Sequence, residues 1–167
     1  MANKTGTVTA VCTSDIRGIQ KTDVGSVELV EDFGISPDAH AGKWHRQVSL
    51  LSYEKIEEFK AKGAPIEDGA FGENLIVSGY DLKALPVGTR LRSGEVLLEV
   101  TQIGKKCHSG CEIYKIMGDC IMPREGIFTR VLHGGVLTEG DEIVIEKAAG
   151  EADGGAYWCE CGTFDNL

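Results

Sequence analysis

Apolar residues recur along this chain mostly in short alternating runs, and only once with a clear helical period. Residues 7–13 (TVTAVCT) alternate threonine with small apolar side chains, with Val8 partly out of step, and read as a strand. Residues 27–30, 47–51 (QVSLL), 75–77, 89–91, 95–103, 127–132 and 142–145 read the same way. The turns between them are glycine-marked: Gly25, Gly79, Arg92-Ser93-Gly94 as a hairpin turn, Gly134-Gly135 and Gly140-Asp141. Residues 53–62 are the clearest helix, with Ser52 as N-cap, Ile56 and Phe59 on one face and Gly63 as the stop. Residues 112–117 allow one or two further helical turns, closed by Gly118. Short strands joined by glycine turns predict a mainly β fold, a closed or strongly curved barrel with one or two short helices.

Composition sharpens this picture in two places. The chain has 22 glycines against 4 prolines, which favours tight turns over long helices. After Glu146 the sequence turns to alanine, glycine and acidic residues. Residues 1–146 are therefore read as the domain, and 147–167 as a linker and short tail carrying Cys159 and Cys161. The tail pair alone is weak evidence for a soft metal ion.

Charge and cysteine count bound the function. A net charge of -9, from 26 acidic and 17 basic residues, argues against a general nucleic-acid binder, which needs clustered lysine and arginine. It leaves room for a small anion on a local basic patch. The N-terminal residues lack an apolar signal core, and no run has membrane-spanning length. A cytoplasmic, reducing setting is expected, in which six cysteines mean thiol chemistry, metal binding or burial.

Four segments are candidates for chemistry. The loop Asp38-Ala39-His40-Ala41-Gly42-Lys43-Trp44-His45-Arg46 offers cations and hydrogen-bond donors to an anion, or is a solvated loop. In Asp68-Gly69-Ala70-Phe71-Gly72-Glu73-Asn74, the last two residues orient a ligand or cap the turn, and turn statistics favour the cap. In Gly104-Lys105-Lys106-Cys107-His108-Ser109-Gly110-Cys111, continuing to Cys120, adjacent cations favour a thiolate. Three readings are open there: a nucleophilic or sulfur-carrying cysteine, a zinc site from Cys107, Cys111, Cys120 and His108, or small core residues. The gaps between the cysteines, three residues and then eight, do not match a common zinc ribbon. Finally, Arg124 and Arg130 flank Gly126-Ile127-Phe128, placed to meet an anion or to pair with surface carboxylates.

Taken in order, these pieces resemble the MOSC domain, the family named after the C-terminal part of molybdenum-cofactor sulfurases. The residues that carry the resemblance are Asp38-Ala39-His40-Ala41-Gly42 leading into Arg46-Gln47-Val48-Ser49-Leu50-Leu51, then Gly72-Glu73-Asn74-Leu75 and Leu85-Pro86-Val87-Gly88-Thr89. The glycine-led cysteine segment, Gly126-Ile127-Phe128-Thr129-Arg130-Val131-Leu132 and Gly140-Asp141 follow. The similarity spans residues 7–146 and is to the small stand-alone bacterial form.

The resemblance implies a MOSC-like β-barrel that binds the molybdenum cofactor, or carries sulfur as a persulfide on one functional cysteine. By position that cysteine is Cys111, which is also the metal-facing candidate, with Cys107 as its rival; Gly110 stands where the family commonly has arginine or proline. Phosphate-bearing pterin chemistry draws on His40, Lys43, Arg46, Glu73, Asn74, Lys105, Lys106, Arg124 and Arg130, of which His40, Arg46, Asn74 and Arg124 are expected to line one cleft. A partner cysteine desulfurase or molybdoenzyme would make the activity sulfurtransferase-like. Pyridoxal phosphate is not expected in this chain, because Lys105 and Lys106 stand without a cofactor-binding signature. A structural zinc site in a non-catalytic interaction domain is the alternative.

Overall fold

The computed structural model describes residues 5–14, 21–36, 38, 41–63, 66–104 and 125–147. The strands are β1 (Thr5–Thr13), β2 (Thr22–Asp23), β3 (Ser26–Val30), β4 (Gly34–Ser36), β5 (Val48–Ser52), β6 (Leu75–Ser78), β7 (Arg90–Ser93), β8 (Val96–Ile103), β9 (Ile127–His133), β10 (Gly135–Thr138) and β11 (Glu142–Lys147). The helix α1 (Tyr53–Lys60) links β5 to β6, and a single 3-10 turn spans Leu82–Ala84. Among the described residues, seven strands close a barrel in the order β11, β7, β8, β9, β5, β6, β1, with β1 pairing back onto β11. A separate sheet, β10-β3-β4, packs beside it. The expected β-barrel with a short helix is the fold observed.

Alternation sorts the strand residues into two apolar layers. Val48, Leu50, Leu75, Val77, Leu98, Val100 and Val131 share one cluster with Leu29, Ile35 and Leu137 of the small sheet. Leu51, Ile76 and Phe128, one residue out of phase, face the other way and pack with Ile56 and Phe59 of α1. β5 and β6 are parallel, and parallel neighbours cannot be joined by a tight turn. The chain therefore crosses over through α1, and that crossover covers the outer layer.

Of the four register shifts among the described strands, two bear most on this pattern. Val8 pairs with Val77 and Ala10 with Ile76, so Thr9 is an extra residue in β1. It places Val8 and Val11 in the first layer and Ala10 and Cys12 in the second. That is why the sequence runs out of step at Val8. In β8, Val100 pairs with Thr129 and Gln102 with Phe128, so Thr101 is the extra residue.

Several local expectations change. Ser52 occupies the N-cap position of α1 but makes no capping bond. Its Oγ donates to the Tyr80 carbonyl at 3.1 Å and accepts from the Leu82 N–H at 3.3 Å, tying α1 to the chain after β6. The helix ends at Lys60 rather than residue 62. The β7–β8 turn falls on Gly94 and Glu95, because Ser93 pairs with Val96, and Gly94 takes the positive φ of 59° that the turn requires. Gly135, read as a turn residue, instead opens β10 and pairs with Leu29. Residues 112–117 lie outside the described residues. Among the described residues no helix is long and apolar enough to cross a membrane.

One buried side chain joins three strands. Asn74 has no exposed surface. Its Nδ2 donates to the Cys12 carbonyl of β1, and its Oδ1 accepts from the Ser49 N–H and Oγ of β5, all at 3.0–3.2 Å. Substitution Asn74→Ala leaves these backbone groups unsatisfied in the interior and should lower unfolding stability by about 3 kcal/mol. Urea titration checks this; an unchanged midpoint would contradict it.

Candidate functional site

The basic loop lies against the outer surface of β9. Gln47 anchors it: its N–H donates to the Thr129 carbonyl, its Oε1 accepts from the Val131 N–H, and its Nε2 donates to Asp32. One residue earlier, the Arg46 guanidinium rests 4.8 Å from the Trp44 ring centre and 5.5 Å from that of Phe128. Two aromatic faces hold the cation while the side chain stays partly open to solvent. Lys43 is exposed on the same loop.

His45 connects this loop to the root of the cysteine segment. The residue is 1% exposed, and its Nε2 lies 2.7 Å from Gln102 Oε1. The Gln102 Nε2 donates to the Gly104 carbonyl at 2.8 Å, so its oxygen faces the ring, and His45 Nε2 carries the shared proton. Thr101 Oγ1 bonds the His45 carbonyl and lies 3.1 Å from the Phe128 carbonyl. The Gly104 N–H donates to the Gly126 carbonyl at 2.6 Å. The chain on both sides of residues 105–124 is thereby held at one neck.

Farther along the same face, Glu99 sits between two arginines. Cross-strand register sets Arg90 of β7 and Arg130 of β9 directly opposite it. Each Nε is 3.5 Å from a different Glu99 oxygen, and the glutamate side chain is 6% exposed. Arg130 is two residues from Phe128 on β9, so it shares the face on which Arg46 rests.

The turn carrying Glu73 and Asn74 is built inward. Glu73 is fully buried, and its two oxygens accept from the Gly69 and Phe71 N–H groups at 2.9 and 3.0 Å. Its carboxyl is pushed up to about 7, chiefly by burial, against the lowering effect of those backbone bonds. This is the geometry of the turn-capping alternative. Gly69, at φ 90°, touches Lys21, and a β-carbon there would fall 2.2 Å from the Lys21 carbonyl oxygen. Lys21 in turn forms a fully buried ion pair with Asp38 at 2.9 Å, and Asp38 also accepts from the Ser14 N–H. The turn, the start of β2 and the residue that opens the basic loop are thus one packed unit.

Of the expected site residues, Arg46 and Arg130 come to the outer face of β9, and Lys43 lies on the adjoining loop. Asn74 lies behind Ser49, which pairs with Phe128, and its polar atoms are spent inside the fold. His40, Lys105, Lys106, Cys107, Cys111, Cys120 and Arg124 lie outside the described residues, as do His108, Cys159 and Cys161. His45 enters the sequence reading only as part of the basic loop, and Gln102, Glu99 and Arg90 do not enter it. The signal for Glu99 and Gln102 is the polar interruption of the β8 run, where glutamate, threonine and glutamine break an otherwise apolar strand.

Other features do not compete with this face. Cys12 is buried, and burial together with the nearby Glu73 raises its thiol pKa, which leaves it inert at neutral pH. A polar cavity of about 330 Å³ is lined by Lys21, Thr22, Asp23, Glu67 and Asp68. Glu139, hydrogen-bonded to Asp23, has its pKa held up to about 7 beside it. Its acidic rim disfavours an anion. Among the described residues no group of three or more histidine, cysteine or acidic side chains could hold a metal ion.

The family model for the MOSC domain matches residues 37–144. The chain belongs to the MOSC domain family. This family is associated with molybdenum-cofactor binding and sulfur-related function. No curated protein matches the chain significantly. Among solved structures, the YuaD protein from Bacillus subtilis superposes with a TM-score of 0.71 at 22% identity, covering 85% of this chain and 96% of that one. YiiM from Geobacillus stearothermophilus gives 0.63 at 21% identity, covering 85% and 75%. YiiM from Escherichia coli gives 0.57 at 21% identity, covering 88% and 70%. At these identities the likeness is one of fold. The MOSC match begins at the basic loop and ends in β11, so it includes the face described above.

The buried carboxyl of this MOSC domain predicts a pH dependence. Unfolded, Glu73 loses its proton near pH 4.5; folded, it does so only near 7. Between those values the folded state holds more protons, so stability falls as pH rises through the window. Thermal melts from pH 5 to 7.5 should show a falling midpoint, and Glu73→Ala should be less stable throughout with a shallower fall. A midpoint that rises with pH in the wild type and is unaltered in slope by the substitution would contradict the assignment.

Proposed function

We propose that this MOSC protein binds the molybdenum cofactor on the outer face of β8 and β9, where a thiolate of the cysteine segment, Cys111 first and Cys107 second, works beside it or carries sulfur for it. The observation that supports this most is the chain of bonds from His45 through Gln102 to Gly104. It joins the cationic loop to the neck from which the cysteine segment departs.

The donor set suits an anionic, phosphate-bearing pterin. Arg46 rests against the rings of Trp44 and Phe128, and Arg130 lies two residues from Phe128 on the same strand face. The Nε of Arg130 is buried and makes no hydrogen bond among the described residues. Planar guanidinium forks of this kind recognise phosphate oxygens bidentately. Lys43 adds charge at the edge, and His40, Lys105, Lys106 and Arg124 are proposed to complete the cationic shell. Glu73 and Asn74 hold the supporting turn. When bound, the cofactor supplies a molybdenum centre with affinity for sulfur ligands.

For sulfur carriage, Lys105 and Lys106 favour the Cys111 thiolate by their charge. The thiolate attacks the outer sulfur of a persulfide presented by a cysteine desulfurase. The donor S–S bond breaks, the donor leaves as its thiolate, and the outer sulfur ends on Cys111 Sγ as a new persulfide. No net oxidation occurs. A molybdoenzyme or its cofactor is the proposed acceptor.

Two measurements test this reading. Peptide mass spectrometry after incubation with a desulfurase and cysteine should find one added sulfur on Cys111, absent in Cys111→Ser; equal uptake by that variant would move the role to Cys107. Cofactor retention, read from pterin fluorescence after release, should drop about tenfold in Arg46→Ala and recover only partly in Arg46→Lys, which keeps charge without the fork. Full retention by Arg46→Ala would place the cofactor elsewhere.

A further inference from the structure

We infer that a proton shared between Asp23 and Glu139 makes an acid-closed joint, which ties the barrel edge at β2 to the turn between β10 and β11.

The joint is a ring of three contacts. Asp23 Oδ1 accepts from the Gly25 N–H at 2.9 Å. The Gly25 carbonyl accepts from the Glu139 N–H, also at 2.9 Å. The Glu139 carboxyl closes the ring by hydrogen-bonding the Asp23 carboxyl. Gly25 sits at a φ of 81°, a left-handed conformation that suits glycine. Beside the ring, Ser26 and Thr138 pair across the small sheet with their hydroxyl oxygens 3.0 Å apart.

Two ionised carboxylates can only accept hydrogen bonds, so the closing contact exists only while one acid keeps its proton. Asp23 already accepts from Gly25, which leaves Glu139 as the donor. The surroundings favour this arrangement. Glu67 and Asp68 line the polar cavity together with Asp23, and Glu73 is buried in the turn that follows them. Lys21, the cation on the cavity wall, is paired with Asp38. On the turn that carries Glu139, Asp141 accepts from the Thr138 N–H. The Glu139 carboxyl is accordingly held up to about 7, first by its bond to Asp23, then by burial and by the charges of Asp23 and Asp68.

Loss of that proton sets like charges in contact. The ring then opens at its acid pair, and the turn after β10 separates from β2. The raised midpoint fixes the sign. The joint is closed in mild acid and released as pH rises through about 7, the same direction as for Glu73.

Residue-resolved NMR on the full chain at low salt separates the two glutamates. The Glu139 carboxyl carbon should titrate near pH 7. In Asp23→Asn, whose amide can donate to an ionised Glu139, that midpoint should fall by at least about one pH unit. Amide exchange, corrected for its intrinsic pH dependence, reads the joint itself. Between pH 6 and 8 the Glu139 amide of the wild type should lose about tenfold in protection, as expected for a hydrogen bond to a charged group. Folded Glu139→Gln, which keeps a donor without a titrating proton, should lose none, and nor should Asp23→Asn. The Lys21 N–H, held by the Gly69 carbonyl at 2.8 Å, should stay protected and so mark the release as local. Both substitutions fall at exposed positions, and melting curves verify that each variant is folded. A wild-type Glu139 midpoint in the ordinary carboxylate range would overturn the inference. So would an equal loss of protection in Glu139→Gln, or a matching loss at Lys21.

Discussion

The extra residue at Thr101 decides which side chains share the outer face of β8 and β9. Without it, strict alternation would set Glu99, Thr101 and Ile103 on one face and turn Gln102 inward. With it, Gln102 pairs with Phe128 and joins Glu99 on the outer face. Only there can Gln102 meet His45 and at the same time hold the Gly104 carbonyl. The Thr101 hydroxyl fills the irregularity by bonding the His45 carbonyl. One inserted residue thus aligns the basic loop, the arginine pair and the neck of the cysteine segment.

The rest of the barrel supports that face. Its apolar layers pack on both sides of the wall, and several of its buried polar groups form joints between elements. Asn74 joins β1, β5 and β6. Glu73 closes the turn before β6. The Lys21–Asp38 pair locks the entry of the basic loop against that turn, with neither side chain exposed. Such a pair adds little net stability over a well-packed apolar one, but breaking it leaves a buried charge unpaired, so the geometry is held firmly. A surface site built on arginines needs this support, because long side chains bind well only when their base does not move.

The long strands and the helix were legible because alternation and the Ile56–Phe59 spacing are local signals. β2 and β4 were not, since two or three residues carry no period. β10 was hidden behind Gly134-Gly135, whose glycines are required by close packing on Leu29 and by the φ of 155° at Gly135, not only by a turn. At the site, charge in residues 38–46 and 124–130 pointed to the arginines. What charge cannot supply is the partner across the sheet. Glu99 between Arg90 and Arg130, and Gln102 beside His45, follow from register and a bulge. Asn74 and Glu73 were marked by their glycine-rich setting, which signals a demanding turn as readily as a ligand.

On the proposed reading, the anionic cofactor sits outside the barrel wall, on β8 and β9, and not in the acid-rimmed cavity beside Lys21 and Asp23. A crystal structure of the full chain with the cofactor bound tests it most directly. The cofactor phosphate is expected against Arg46 and Arg130, over Phe128. Phosphate density in the cavity by Lys21, or on a surface that contacts neither arginine, would contradict it.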